Sequence, residues 1–172
     1  MTTQEEFEKV MAICREVFVK KMHDYGTAWR ILRTTSLTDQ IYIKANRIRS
    51  LQTKGHAMVN EGITPEFIGI INYAIMALIQ LELGVSDGTD ENDLRDKRAA
   101  ELYDKHAAEA LALMLRKNHD YDEAWRAMRV SSYADLILMK VFRTKQIEDL
   151  QGHTLVSEGV AANYLDMLNY SA

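Results

Sequence analysis

The sequence predicts an all-α fold, and three observations support this prediction. Apolar residues recur at the three- and four-residue spacing of helices, and no segment competes with the two-residue period of a strand. The 172 residues include only one proline and eight glycines, too few for a β-rich chain with many turns. The chain also contains an internal repeat, so we expect two similar helical units.

The repeat covers most of the chain. The segment KMHDYGTAWRILRTTSLTDQIYIKANR at 21–47 matches KNHDYDEAWRAMRVSSYADLILMKVFR at 117–143. After a one-residue insertion, GHAMVNEG at 55–62 matches GHTLVSEG at 152–159. Matches of this length and order indicate a tandem duplication.

The segment between the two copies is polar and contains glycines, as is typical of a solvated linker. We therefore predict a first helical repeat unit over 1–84, a linker over 85–94 and a second helical repeat unit over 95–172. Because each unit is small for independent stability, we expect the two to pack on each other as a pseudo-two-fold helical bundle.

Each unit is predicted to contain three longer helices and one short helix. In the first unit, apolar spacing predicts a first helix that ends near Lys21, and Gly26 interrupts the pattern before a short helix over 28–33. Ser36 resembles the N-cap of the second long helix, and Asp39 completes a capping-box-like pair with it.

The third long helix is predicted to open at Thr64 and Pro65, since proline suits the first turn of a helix. The longest apolar stretch of the chain, 68–83, lies within it. Asn72 and Gln80 interrupt this stretch, and we expect it to be too short to span a bilayer. No membrane partner is therefore expected.

Composition and charge narrow the function classes. The net charge of −4 argues against general nucleic-acid binding, which usually requires a basic excess. The acidic N-terminus is unlike a signal peptide, and the single cysteine, Cys14, cannot form an internal disulfide. Both features predict a cytoplasmic protein.

Basic residues recur at fixed spacing in both copies. Guanidinium and ammonium groups bind phosphate oxygens, and cations three residues apart share one face of a helix. The alternatives are a salt-bridge scaffold for the arginine pairs and a solvated helix face for the lysine–arginine pairs. The candidate phosphate-binding residues are Arg30, Arg33, Lys44 and Arg47 in the first copy, and Arg126, Arg129, Lys140 and Arg143 in the second. Trp29 directly precedes Arg30, and Trp125 directly precedes Arg126. We expect both tryptophans to be buried, at equivalent positions in the cores of the two units.

An acidic cluster begins the last helix of the second copy. Glu158 and Asp166 are eight residues apart, slightly more than two helical turns, so both carboxylates can share a face. With Asn169 one turn later, they are candidate ligands for Mg²⁺, which prefers oxygen ligands, and Glu158 and Asp166 are the candidate catalytic residues. The alternative is that the carboxylates only interact with the helix dipole.

The first copy departs from this acidic pattern. Glu61 corresponds to Glu158 and is the remaining candidate metal ligand, but its eighth successor is Gly69. Glu66, three residues before Gly69, is only an approximate substitute. We therefore expect metal chemistry to depend on the second copy, with the first chiefly a scaffold.

Three motifs occur together in both copies: His-Asp-Tyr-x-x-Ala-Trp-Arg-x-x-Arg, Ser-x-x-Asp leading to Lys-x-x-Arg, and Glu-Gly followed by Asn-Tyr. The residue after Asn-Tyr is alanine in the first copy and serine in the second. In this combination the chain resembles a tandem member of the nucleotide modification associated domain 1 family. More distantly, each unit is similar to the MazG-like all-α NTP pyrophosphatases. The matching residues are Lys21, Asp24, Tyr25, Gly26, Lys44, Arg47, Glu61, Asn72, Tyr73 and Ala74 in the first copy, and Lys117, Asp120, Tyr121, Lys140, Arg143, Glu158, Asp166, Asn169 and Tyr170 in the second.

The resemblance implies a nucleotide substrate and Mg²⁺, with Lys21, Lys117, Asp120 and Tyr121 added to the phosphate-binding residues. It also shows departures: Ala162 and Pro65 replace the second acid of the expected pattern. Three functions remain open. They are a magnesium-dependent nucleoside triphosphate pyrophosphohydrolase, a non-catalytic nucleotide-binding protein of nucleotide or DNA modification pathways, and a purely structural helical protein.

The two copies also differ after their Asn-Tyr pairs. The first continues from Tyr73 through AIMALIQLEL, whereas the second continues only to Ala172. We expect the second half-core to present an apolar groove that a homodimer would bury.

Overall fold

The computed structural model describes residues 2–54, 59–86, 96–149 and 155–172, and of residues 54, 59–61, 96 and 155–159 it describes the backbone alone. In these ranges the chain forms six α-helices, two short 3-10 helices and no strand. The α-helices are α1 (Thr3–Tyr25), α2 (Thr34–Lys54), α3 (Val59–Leu83), α4 (Asp96–Tyr121), α5 (Val130–Asp149) and α6 (Leu155–Ser171). The 3-10 helices, Ala28–Ile31 and Ala124–Ala127, follow α1 and α4.

The same order of elements therefore occurs twice, which confirms the all-α fold with two repeated helical units. We call α1–α3 the first unit and α4–α6 the second unit. Helices at corresponding positions contact each other, α1 with α4, α2 with α5 and α3 with α6, as a pseudo-two-fold arrangement requires. Most of the predicted linker, residues 87–94, lies outside the described residues, so the predicted unit boundaries stay predictions.

The first helix follows its sequence pattern closely. Thr2 caps α1 in a capping box with Glu5, which satisfies backbone N–H groups that a helix start leaves unpaired. The helix continues to Tyr25, four residues beyond the predicted end at Lys21, and stops where predicted at Gly26, which has a φ of 65°. Its buried side chains, spaced three and four residues apart, are Thr3, Phe7, Met11, Cys14, Phe18 and Met22.

The predicted start of α2 is wrong by three residues, since Ser36 as the N-cap would make Leu37 the first helical residue. The helix begins at Thr34, and the backbone N–H of Ser36 already donates to the carbonyl of Arg33 at 3.0 Å. The carboxylate of Asp39 pairs with Lys145 of α5 at 3.0 Å instead of capping the helix. A contact to the other unit thus replaces the local contact that the sequence suggested.

The predicted start of α3 is also wrong, because the helix begins at Val59 and Pro65 lies inside it. Proline lacks the N–H that an interior helical position donates, so the helix loses one backbone hydrogen bond there. By length and composition, Gly62–Leu83 is apolar enough to cross a bilayer, contrary to the expectation from 68–83 alone. Half of this segment is buried inside the bundle. The absence of a membrane partner stays a prediction, as do the homodimer and the cytoplasmic location.

The core lies where the second and third helices of both units meet. α2 and α3 pack on each other, as do α5 and α6, and the two pairs contact across the pseudo-two-fold. Burial of these apolar side chains is the main favourable contribution to folding. The fully buried large residues of these four helices include Leu37, Ile41, Ile48, Ile70, Ile71, Ile75, Ile79, Ile137, Tyr164 and Met167.

A buried hydrogen-bond chain joins the two units beside this core. The hydroxyl of Tyr103 in α4 donates to Asn72 Oδ1 in α3 at 2.7 Å. Asn72 Nδ2 in turn donates to the backbone carbonyl of Cys14 in α1 at 3.1 Å. Because all these groups are shielded from water, each depends on its partner to offset desolvation.

We predict that Tyr103→Phe lowers the free energy of unfolding by about 1–3 kcal/mol, because the acceptor Asn72 Oδ1 loses its donor in a buried place. Urea denaturation checks this value. Tyr121→Phe is the matched control on the same helix, since the Tyr121 side chain is exposed. Equal stability of Tyr103→Phe and wild type would show that the hydrogen bond contributes nothing.

Candidate functional site

A cavity of about 570 Å³ lies in the first unit, between α1, the following 3-10 helix, α2 and α3. It contains several of the residues on which the sequence motifs are built. Its wall includes Lys21, Tyr25, Gly26 and Trp29 from the first part of the unit, Lys44 from α2, and Pro65, Glu66, Gly69, Asn72 and Tyr73 from α3. Four elements that are separate in sequence thus converge on one concave surface.

The end of α1 positions one side of this cavity. Gly26 has the positive φ that non-glycine residues rarely adopt, and its N–H donates to the carbonyl of Met22 at 2.7 Å. The chain therefore turns sharply after Tyr25, and Trp29 in the 3-10 helix packs against Phe18 with ring centroids 6.1 Å apart. Trp29, packed on Phe18, therefore forms an aromatic part of the cavity wall.

On the opposite side of the cavity, the side chain of Lys44 lies across the backbone of α3 at Gly69. A Cβ atom at Gly69 would be only 2.5 Å from Cδ and Cε of Lys44, so the absence of a side chain at 69 makes room for the lysine stem. The Lys44 Nζ pairs with Glu66 Oε2 at 3.3 Å and lies 6.0 Å from the ring centroid of Tyr73. Arg47 Nε contacts the other oxygen of Glu66 at 3.3 Å.

Lys21, on the α1 side, has no acidic partner within the described ranges, and its side chain is exposed at the cavity. Glu66 is the only described carboxylate in the wall, and two cations already share it. The region around the cavity therefore has an excess of positive charge, which favours an anionic ligand.

One polar atom of the wall lacks a partner. The indole N–H of Trp29 is buried and donates to no acceptor in the described part of the chain. A buried donor without an acceptor is costly, and in the second unit the corresponding Trp125 Nε1 donates to Thr3 Oγ1 at 3.3 Å. The first unit thus retains an unused donor beside its cavity.

The second unit has an acidic residue at the position that corresponds to Gly69. Asp166, at the position of Gly69, accepts from Lys117 Nζ at 2.8 Å and pairs with Lys140 Nζ at 3.0 Å. Burial lowers the pKa of Lys117, but the hydrogen bond and charge of Asp166 outweigh this and leave the pKa raised. Asn163 occupies the place of Glu66.

The arginines of the first copy do not face the cavity together. Arg30 is buried, and its Nη1 donates to the backbone carbonyl of Gly84 at 2.6 Å, whereas Arg33 is exposed. The prediction that they share one face is wrong, because the 3-10 helix ends at Ile31, before Arg33. Gln80 donates to the carbonyls of Arg30 and Leu32, so Arg30 belongs to the connection between the 3-10 helix and the end of α3.

Arg126 of the second copy is held by a different set of contacts. It pairs with Glu123 at 2.5 Å and with Glu6 of α1 at 2.9 Å, and its guanidinium lies 4.5 Å from the ring centroid of Trp125. Hydrogen bonds from Thr3, Arg126 and Asn118 lower the pKa of Glu123 to about 2.

Trp29 packs against the core, whereas Trp125 lies beneath Arg126 near the start of α1. The expectation of equivalent buried places for Trp29 and Trp125 is therefore wrong.

The remaining phosphate-binding candidates of the second copy are exposed and form no side-chain hydrogen bond or ion pair within the described ranges; these are Asp120, Tyr121, Arg129 and Arg143.

The predicted metal ligands do not form a site among the described residues. No group of three or more His, Cys, Asp or Glu side chains converges there. Asp166 is neutralised by two lysines, and Asn169 Nδ2 donates to the carbonyl of Ala110 at 3.1 Å. The side chains of Glu61 and Glu158 lie outside the described residues. The described donors therefore do not fit Mg²⁺, whose site stays a prediction.

The sequence analysis gave too little weight to Glu66 and missed that Gly69 makes room for the stem of Lys44. A signal was present in the aligned copies. Where the first has Glu66 and Gly69, the second has Asn163 and Asp166, so the acid moves by three residues. On a helix this is about one turn, and an acid of α3 or α6 can still meet the lysine of the middle helix.

We predict that Asp166→Asn lowers the free energy of unfolding by about 1–3 kcal/mol, chiefly because Lys140, whose side chain is only 15% exposed, loses its counter-charge, whereas Lys117 is screened by solvent. Thermal and urea denaturation check this value. The control is Asp104→Asn, whose ion pair with Arg15 is exposed and should contribute less than about 1 kcal/mol. Similar losses in the two variants would contradict the structural role assigned to Asp166.

Comparison with known proteins identifies the family. No curated protein and no solved structure matches the chain. The family model described as nucleotide modification associated domain 1 matches residues 21–81 and 117–172, one match in each unit. The two matches cover more than half of the chain, and the first includes most of the residues that line the cavity of the first unit. The chain therefore belongs to the nucleotide modification associated domain 1 family.

Proposed function

We propose that this protein binds a nucleoside phosphate in the cavity of the first unit. The observation that carries the proposal is the pair of lysines, Lys21 and Lys44, on a cavity of about 570 Å³ with aromatic walls. This volume lies within the range typical of small-molecule sites, roughly 300–1,000 Å³. Membership of a family associated with nucleotide modification supports the same ligand class.

The charge at the site favours the phosphate part of such a ligand. Lys21 has no acidic partner in the described part of the chain, so its ammonium can meet an incoming anion without breaking an ion pair. Lys44 and Arg47 share one carboxylate, that of Glu66, so these three side chains together carry a net positive charge. Lysine binds phosphate as a point charge, which suits a flexible polyphosphate chain.

The apolar part of the wall favours the nucleoside. Trp29, Tyr25 and Tyr73 line the same cavity as the lysines. Aromatic faces accept any base by stacking, which contributes about 1–3 kcal/mol per base in nucleic-acid complexes.

Hydrolysis to a monophosphate and pyrophosphate, assisted by Mg²⁺, is the second candidate. Glu66 favours it, because this carboxylate lies in the cavity beside Lys44. A metal would have to replace the two cations that Glu66 now meets, and no second described carboxylate lines the cavity. Binding without hydrolysis is therefore the better supported function.

Isothermal titration calorimetry with a panel of ribo- and deoxyribonucleoside mono-, di- and triphosphates tests the proposal. We predict that at least one nucleotide binds and that Lys21→Gln weakens its affinity about tenfold, the effect of losing one charge-assisted hydrogen bond. Lys20→Gln is the matched control, because Lys20 pairs with Glu16 at 2.9 Å and does not line the cavity.

Two results would contradict binding at this site. One is the absence of measurable binding of every nucleotide at about millimolar concentration. The other is equal affinity of Lys21→Gln and wild type. Chromatography of the same nucleotides after incubation with and without Mg²⁺ separates the candidates, since metal-dependent release of pyrophosphate would establish hydrolysis.

A further inference from the structure

The two units contain the same pair of lysines, but the carboxylates around these lysines differ. Lys117 and Lys140 of the second unit correspond to Lys21 and Lys44 of the first. In the second unit both ammonium groups meet one carboxylate, that of Asp166, through its two oxygens at 2.8 and 3.0 Å. Asp166 is only 9% exposed, so this carboxylate is itself largely shielded from solvent between the two lysines.

The first unit has no side chain at the corresponding position. Gly69 replaces the aspartate, and the stem of Lys44 lies over it at the wall of the cavity. Lys44 pairs with Glu66, one helical turn earlier, while Lys21 has no acid to meet within the described residues. Among the described residues, Lys21 and Lys44 therefore share no carboxylate, whereas Lys117 and Lys140 share that of Asp166.

We propose that the carboxylate of Asp166 occupies, in the second unit, the position that a phosphate group of the ligand takes in the first. This inference rests on the proposed function and assigns the phosphate-binding pair as Lys21 and Lys44. Carboxylate and phosphate are both anionic and present oxygens to ammonium donors, so one can replace the other between two lysines.

The inference gives the chain one open site and one site closed by its own side chain. Asp166 competes with any anion for Lys117 and Lys140, with the advantage of being covalently attached. The wild-type protein therefore binds one phosphate ligand per chain. Removing the carboxylate from the second unit leaves two lysines without a counter-ion, and placing a carboxylate at 69 closes the first unit.

The closing substitution is tested by titrating inorganic triphosphate into Gly69→Asp, Gly69→Asn and wild type. Both side chains displace the stem of Lys44, because any Cβ at 69 would contact its Cδ and Cε, but only aspartate adds a charge. We expect Gly69→Asp to bind at least about tenfold more weakly than Gly69→Asn. Equal affinities of these two variants would overturn the inference.

The opening substitution is Asp166→Gly, which gives the second unit the residue that the first unit has. In a variant shown by circular dichroism to be folded, we expect the number of triphosphate ions bound per chain to rise from one to two. A folded variant that still binds one would overturn the inference. If Asp166→Gly does not fold, the comparison at position 69 decides the question alone.

The outcomes separate this inference from the proposed function. If the wild-type protein binds neither triphosphate nor any nucleotide, the proposed function fails and takes the inference with it. If the wild-type protein binds one ligand per chain with Lys21 involved, but Gly69→Asp equals Gly69→Asn, the proposed function stands and the inference alone fails.

Discussion

A partly buried lysine on the middle helix of each unit needs a carboxylate opposite it, and this constraint governs the difference between the two units. The side chains of Lys44 and Lys140 are 27% and 15% exposed, so an unpaired ammonium there would be costly. The first unit supplies Glu66 and the second supplies Asp166, one helical turn later. This choice decides whether the lysine of the preceding helix meets a carboxylate among the described residues, as Lys117 does and Lys21 does not.

The duplication lets equivalent residues take different structural roles. Arg30 holds the backbone carbonyl of Gly84 at the end of its own unit, whereas Arg126 pairs with Glu6 of the other unit and with the adjacent Glu123. Arg30 and Arg126 therefore stabilise the 3-10 segments. In the proposed function, Lys21 and Lys44 attract the anion and these arginines do not.

The all-α class and the repeat follow from local pattern, because helical spacing and a near-constant offset do not depend on tertiary contacts. The start of α2 does depend on them, since Asp39 contacts Lys145 of α5, a partner 106 positions away. Lys44 could be nominated from repeated spacing, and Lys21 from the family resemblance. The cavity could not, because it depends on the direction of the Lys44 stem across Gly69, which only helix packing determines.

The most direct test of this account is a crystal structure of the protein with the nucleoside phosphate that binds most tightly. We expect phosphate oxygens within hydrogen-bonding distance of the ammonium groups of Lys21 and Lys44 in the first unit. We also expect Asp166 to keep its contacts with Lys117 and Lys140 in the second unit. A ligand bound between those two lysines, with Asp166 displaced and the cavity of the first unit empty, would contradict the account.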